Sequence, residues 1–405
     1  MTQPKRVCHI VQTLYAMDSR IRKQVEALAN AGFDVDVVCL KEVVAKPKST
    51  PDSVRFFYAP LGQKKGGKLR YVFEYLAFFL YASCIMVRNI GRRYAVIHVS
   101  TMPDFLVFST ALPKLFGSRV LLDIHDPMPE LFMSKGGMEK ENTVVRLLKW
   151  QERISFRFAN HLMTVSQAMK NRVARVAAGR DISVIMNLPD CGPTPQTDAA
   201  EREGSRNGTF TLVYTGTLSP TYGLSLIIEG VSHLRNRIPE LRLMFVGGGD
   251  DAEALSDLAN ELGLQDIVEF AGWVSFTELP DILARADVGV SSLKNDVLTD
   301  MCFNNKSAEY VAMGLPAVVT RTSALQQHFP EGVVRFFEAG SHESFEEAII
   351  ELHDNPDLRA EMSRRGVEFS KIANWSSEKA KYLRLVGQLG GDKSETDVRP
   401  FGCES

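Results

Sequence analysis

Paired cysteines are missing. The six present, Cys8, Cys39, Cys84, Cys191, Cys302 and Cys403, are scattered, with no Cys-x-x-Cys and no pair flanked by histidine. That spacing argues against a zinc site and against a disulfide framework, and reduced surroundings are the default. Charge of one sign is missing too: 47 Lys and Arg stand against 49 Asp and Glu, leaving a formal charge of -2. A protein that coats nucleic acid through a globally basic surface is thereby excluded, although a local basic patch is not. Residues 1–6 run directly into a strand-like segment, with no apolar stretch and small-residue cleavage site, so no secretory signal is read and a cytoplasmic location is expected. The sequon matches at Asn207 and Asn374 then carry no meaning. Gly247, Gly248 and Gly249 are followed by Asp250 and Asp251, so the Gly-x-Gly-x-x-Gly of dinucleotide binding is absent and NAD is not expected.

What is present is an ordinary globular composition, 45% hydrophobic and 24% charged with 29 Gly and 18 Pro, in a 405-residue chain long enough for two domains. Residues 7–11 read as a strand, 20–31 as a helix with Ile21, Val25, Leu28 and Ala29 at helical spacing, and 35–40 as a strand without alternation. Gly32 closes the helix in the left-handed conformation that glycine adopts without steric cost. This βαβ order implies a parallel sheet. Residues 95–99, 120–124 and 159–165 repeat the strand signature. Residues 191–208 (CGPTPQTDAAEREGSRNG) are nearly free of large apolar side chains and read as a linker. Beyond it the alternation restarts, with strands expected at 211–214, 241–246, 267–270, 288–290 and 316–320. The expected architecture is α/β: two Rossmann-like doubly wound domains facing a central cleft, 1–190 and 209–370. A C-terminal helix within 371–390 crosses back to the first domain, and a tail occupies 391–405.

In open parallel sheets ligands sit beyond the carboxyl ends of the strands, where helix N-termini aim N–H groups outward. Small and polar residues gather there: Gly216-Thr217, Gly247–Gly249, Gly272-Trp273 and His125-Asp126. Any one glycine is as well explained by a tight turn, but four such ends favour a ligand cleft. The most informative segment is 304–320, NNKSAEYVAMGLPAVVT. Asn304 or Asn305 can cap a helix, Lys306 and Glu309 share one face of it, Gly314 stops it and Pro316 opens the next strand. A helix N-terminus with a lysine suits a diphosphate, and a carboxylate one turn on can accept both hydroxyls of a ribose. The plainer alternative is a solvent-facing ion pair.

This segment resembles the signature helix of family-4 glycosyltransferases of the GT-B fold, in the branch reading Asn-Lys-x-x-Glu-Tyr-x-Ala-x-Gly-x-Pro. Asp18-Ser19-Arg20, DIHDPMPE (123–130), MNLPD (186–190), YTG (214–216), FVGGG (245–249) and FAGW (270–273) resemble further family segments in the same order. The resemblance implies retaining transfer of a sugar from a nucleotide-sugar donor to a glycan or lipid-linked acceptor, with no metal or other cofactor, as in the assembly of surface polysaccharides. It implies donor binding by Gly216, Thr217, Gly247, Gly272, Trp273, Lys306 and Glu309, with Glu309 on the ribose. It also implies that His125 reaches the transferred sugar, beside Asp126. The sequence departs from the family at three positions. Met301 occupies the place of the first carboxylate of Glu-x7-Glu, with Asp300 adjacent; Thr217 and Tyr222 occupy the places of the phosphate-clamping Arg and Lys. Lys306 then carries more of the charge, with Lys294 or Arg321 as helpers.

From Tyr71 to Val87 the chain reads YVFEYLAFFLYASCIMV, with Lys64, Lys65, Lys68 and Arg70 before it and Arg88, Arg92 and Arg93 after it. The length is short for a membrane span. A buried helix or an interfacial helix on an anionic membrane surface fits it better. Two other functions share the fold: a nucleotide-sugar epimerase, drawing on His98, Asp104, His125 and Asp126, and a catalytically degenerate nucleotide-sugar-binding scaffold.

Overall fold

Buried β-branched runs form the strands and one-sided apolar runs form the helices that cover them. The structure, a computed structural model, describes residues 5–41, 47–61, 68–190, 208–275, 278–294 and 296–391. Residues 191–207 of the expected linker (191–208), residues 392–405 of the expected tail (391–405), and Lys64 and Lys65 lie outside the described residues. The chain divides into two compact units, one running to Asn187 and resuming at Ser377, the other spanning Leu188–Ser376.

The first unit holds β1 (Arg6–Ile10), β2 (Asp34–Leu40), β3 (Arg55–Ala59), β4 (Val96–Ser100), β5 (Arg119–Ile124), β6 (His161–Thr164) and β7 (Ile182–Val184). They form one parallel sheet in the order β3-β2-β1-β4-β5-β6-β7. The interleaved helices are α1 (Ser19–Asn30), α2 (Lys68–Arg88), α3 (Ala111–Leu115), α4 (Met128–Gly136), α5 (Thr143–Phe158) and α6 (Gln167–Val176). Asp18 caps α1 by accepting the Ile21 amide at 3.1 Å, and Gly32 follows the helix with φ +86°. The strand order reverses between β1 and β4, which makes that crevice the switch point of the sheet.

The second unit repeats the plan. Its strands β8 (Phe210–Thr215), β9 (Leu241–Val246), β10 (Val268–Gly272), β11 (Val288–Ser291), β12 (Ala317–Thr320) and β13 (Arg335–Phe337) are parallel in the order β10-β9-β8-β11-β12-β13. Its helices are α7 (Ser225–Leu234), α8 (Ala252–Glu261), α9 (Leu279–Leu283), α10 (Asn305–Ala312), α11 (Ser323–His328), α12 (His342–Asp354) and α13 (Pro356–Ile372). Leu212, Tyr214, Ile227, Val231, Phe245, Val288, Phe345 and Ile349 form the heart of the core. The switch point lies between β8 and β11. The last helix, α14 (Trp375–Leu389), belongs from Ser377 onward to the first unit.

All ten expected strands are present within a residue or two. The structure adds β3, β7 and β13, and each is the edge of its sheet. The apolar runs of β3 (Phe56 to Ala59) and β13 (Phe336 and Phe337) are short, follow an arginine and are only partly buried, so they do not stand out as strands.

Candidate functional site

In the second unit three strand ends meet through backbone. The Gly216 amide donates to the Val246 carbonyl at 2.8 Å, the Gly247 amide to the Gly272 carbonyl at 2.7 Å, and the Leu218 amide to the Gly248 carbonyl at 3.0 Å. A slip of register between Phe270 and Gly272 brings Gly272 opposite Val246. Glycine at 247 is obligatory: its φ is +138°, and a Cβ there would lie 2.0 Å from the Gly216 carbonyl oxygen. Gly248 has the Trp273 indole nitrogen where a Cβ would stand, 2.6 Å away, so the exposed Trp273 ring lies against that turn. Thr217 is exposed, and its carbonyl accepts the Tyr214 hydroxyl at 2.8 Å.

Across the switch point stands α10. Asn304 caps it, accepting the Lys306 amide at 3.1 Å and donating to the Ser291 hydroxyl at the end of β11. Tyr310 pins the helix to both central strands. Its hydroxyl takes the Thr215 amide at 2.8 Å, and its ring fills the space left by Gly289, where a Cβ would meet it at 2.5 Å. The Lys306 side chain then lies along Gly216, its Cε 3.0 Å from where a Cβ would stand. The Lys306 ammonium sits 3.7 Å from the centroid of the Tyr222 ring and 5.2 Å from that of Tyr214. Burial pushes this amine down to about 8, against a smaller upward pull from Glu309. Tyr222 thus occupies a position where the resemblance implies a cation and holds the cation of the facing helix.

The remaining expected residues are placed as follows. Lys294 is exposed beside the same loop, with its Cγ 3.3 Å from a Cβ built on Gly223 and its amide bonded to the Thr221 carbonyl at 3.2 Å. Arg321 is committed elsewhere, paired with Glu338 at 2.7 Å and lying 5.1 Å from the Phe336 ring centroid. Asp300 is exposed and accepts the Ser323 amide at 2.8 Å, which fastens the start of α11. Met301 is buried.

In the first unit the focus is Asp123, fully buried at the end of β5. Arg20 of α1 donates to both its oxygens at 2.8 and 3.1 Å, Gln24 reaches it at 3.3 Å, and His98 at 3.3 Å. His125, half-buried, places Nε2 2.9 Å from the same carboxylate, and its amide donates to Thr101 Oγ1 at 3.1 Å. Burial alone would raise the Asp123 carboxyl; Arg20 first and His125 next outweigh it and hold it well below the usual range. Asp126 is half-buried at the start of the turn. Glu130, in the same loop as His125 in sequence, is gripped by Arg172 at 2.6 Å, and Arg172 also pairs with the buried Glu152. Sequence reasoning missed Asp123 as the partner of His125. The signal was present, since residues two apart on an extended chain share a face.

A different surface of this unit is apolar and exposed. Helix α2 buries Phe78, Ala82 and Met86 but presents Val72, Phe73, Leu76 and Leu80 to solvent. Leu115 and Phe116 at the end of α3, and Leu147 and Trp150 on α5, are exposed as well, with Arg146, Arg153 and Arg157 exposed along α5. Among the described residues no helix is long and apolar enough to cross a membrane. No group of three His, Cys, Asp or Glu side chains among them gathers as a metal site.

Two parallel doubly wound units, with glycine-closed strand ends facing a capped helix, place the chain in the GT-B class of α/β proteins. Sequence comparison is specific. A profile of glycosyl transferases group 1 matches residues 209–355, and a glycosyl transferase 4-like domain matches residues 16–187. The chain belongs to the family-4 GT-B glycosyltransferases. It is 28% identical over 247 residues to the lipopolysaccharide core biosynthesis glycosyltransferase LpsE of Rhizobium meliloti, covering 60% of this chain and 69% of that one. To LpsD of the same organism it is 28% identical over 210 residues, covering 51% of this chain and 57% of that one. Among solved structures, sucrose-phosphate synthase from Thermosynechococcus elongatus superposes with a TM-score of 0.78 at 18% identity, covering 95% of this chain and 99% of the other. Anabaena HepE in complex with UDP-glucose does so with a TM-score of 0.68 at 15% identity, covering 95% and 99%.

Proposed function

We propose that this protein is a retaining glycosyltransferase. It transfers a sugar from a nucleotide-sugar donor to a glycan or lipid-linked acceptor in the assembly of a surface polysaccharide such as the lipopolysaccharide core. The observation that carries the reading is the Lys306 ammonium, seated on Tyr222 beside Gly216 at the amino end of a capped helix. Charge builds on the leaving diphosphate as the glycosidic bond breaks, and preorganised positive potential at that point lowers the barrier. Lys306 supplies it, with Lys294 beside the same loop, and no metal ion is required. Glu309, one turn along, binds the ribose; the Gly272-Trp273 turn reads the base; His125 hydrogen-bonds the transferred sugar. Support for a nucleotide-sugar donor comes from HepE, whose structures contain UDP and UDP-glucose, and support for the pathway comes from LpsD and LpsE.

The test is nucleotide release from a panel of UDP-, GDP- and ADP-sugars, with membrane extract as acceptor. Acceptor-dependent release is expected. A changed sugar on intact nucleotide would indicate an epimerase, and binding without turnover a scaffold. Glu309→Ala should weaken donor binding while thermal unfolding stays unchanged; unaltered affinity would refute the ribose assignment.

The same reading places the protein on the cytoplasmic face of a membrane. The exposed apolar side chains of α2, α3 and α5, with the arginines along α5, suit an anionic lipid surface. Vesicles containing phosphatidylglycerol should sediment the protein and high salt should release it. Equal sedimentation with neutral vesicles would remove the electrostatic part of this proposal.

A further inference from the structure

Beneath His125 lies a buried chain of groups that ends on α14. Tyr382 is fully buried, with its hydroxyl 2.9 Å from His9 Nε2 and 2.9 Å from His98 Nδ1. His9 and His98 are themselves fully buried, with ring centroids 4.1 Å apart. His98 Nε2 faces Asp123, the carboxylate that also holds His125, Arg20 and Gln24.

The charge on Asp123 dictates where every proton in this chain resides. Arg20 keeps Asp123 ionised, so the carboxylate only accepts hydrogen bonds. His98 must therefore carry its proton on Nε2, because a bare nitrogen there would set one lone pair against another. Burial keeps His98 neutral, and its Nδ1 is then bare. A bare Nδ1 accepts the Tyr382 O–H. Having donated its one proton, Tyr382 accepts from His9 Nε2–H, which leaves His9 Nδ1 bare. That last step has an independent mark in the structure: His9 Nδ1 is buried and has no hydrogen-bond partner. The same logic fixes His125. Its Nε2 donates to Asp123, and Nδ1 is the nitrogen it offers to a ligand.

We propose that Tyr382 is a positioning residue, whose hydroxyl, by donating to His98 Nδ1, holds that ring neutral and so keeps Asp123 set to hold His125 with Nδ1 outward. The proposal rests on the role given to His125 above. Without the hydroxyl, His98 Nδ1 loses its donor and His9 Nε2 its acceptor. The buried ring of His98 is then free to take a proton at Nδ1. An imidazolium at 98 competes with His125 for the one carboxylate between them, while Arg20 stays in place.

The experiment uses Tyr382→Phe, which keeps the ring and removes one oxygen, in the full chain. With the donor and acceptor that support turnover, kcat should fall about three- to tenfold, the size of one buried hydrogen bond. The donor KM should stay within about twofold, and the acid limb of the pH profile should move. Nitrogen NMR of histidine-labelled protein without ligand is the second measurement. The wild type should show His98 as the neutral Nε2–H tautomer, and Tyr382→Phe should show a raised His98 titration. A wild-type His98 protonated on Nδ1 overturns the proposal whatever the activity. An unchanged pH profile together with unchanged His98 signals in Tyr382→Phe overturns it equally. Should no sugar nucleotide be turned over by the wild type, the glycosyltransferase reading fails, and the NMR measurement still decides the tautomers.

Discussion

The parts of the two units proposed to face the ligand are made of opposite materials. In the second unit Gly216, Gly247 and Gly272 bring main chain against main chain, and the side chains of Lys306 and Trp273 lie over the turns so formed. In the first unit the backbone only delivers Asp123, and side chains from α1, β4 and the turn after β5 converge on it. A site closed by backbone fails when atoms are added to it. A site closed by charge fails when a charge is taken away.

Asp123→Asn keeps shape and removes charge. It leaves Arg20 buried against a neutral amide and should destabilise the first unit by roughly 3–5 kcal/mol. Denaturant unfolding followed in that unit's own transition is the measurement; an unshifted transition would mean that the carboxylate is not what holds the network. Gly247→Ala keeps charge and adds one methyl group. With a Cβ placed 2.0 Å from the Gly216 oxygen at φ +138°, the expected loss is roughly 2–4 kcal/mol, confined to the second unit, together with loss of donor binding in calorimetry. If Gly247→Ala binds donor as the wild type does, the three strand ends are looser than their contacts imply.

Lys306 is the exception in the second unit, a side chain that carries charge, and it gives the smallest effect. Lys306→Met should lower donor affinity about tenfold at neutral pH, or about 1.4 kcal/mol. The sign of the pH dependence follows from the position of the amine. Pushed down to about 8, it is charged below that pH and loses its proton above it. Donor affinity of the wild type should therefore be flat up to about pH 7.5 and fall toward pH 9, and the Met variant should be flat throughout. A parallel decline in both proteins would place the titrating group elsewhere.

Much of this was legible in the sequence because it is local. Gly32 after a periodic run, Asn304 before one, and Pro316 ahead of a β-branched run each report a boundary through their own backbone preferences. The glycines at 216, 247 and 272 were visible as strand-end residues for the same reason. Partnerships across long stretches of chain were not. Tyr222 holding Lys306, Arg20 holding Asp123, and Tyr382 joining His9 and His98 depend on which strands become neighbours, and no periodic pattern encodes that. The Glu130 side chain lies in the same loop as His125 in sequence. Helix α4 turns it toward Arg172 on α6. Three of the four edge strands, β3, β7 and β13, escaped because their apolar runs are short and only partly buried.

The helix that carries Tyr382 is translated after the second unit, yet the sheet it seals is translated before that unit. While the ribosome is still making the second unit, the pocket around His9 and His98 lacks its lid, and two buried imidazoles meet water that the finished protein excludes. Completion of the first unit thus waits on the residues from Ser377 onward, and a fragment ending at Ser376 should be a poor substitute for it even though every strand of that unit is present.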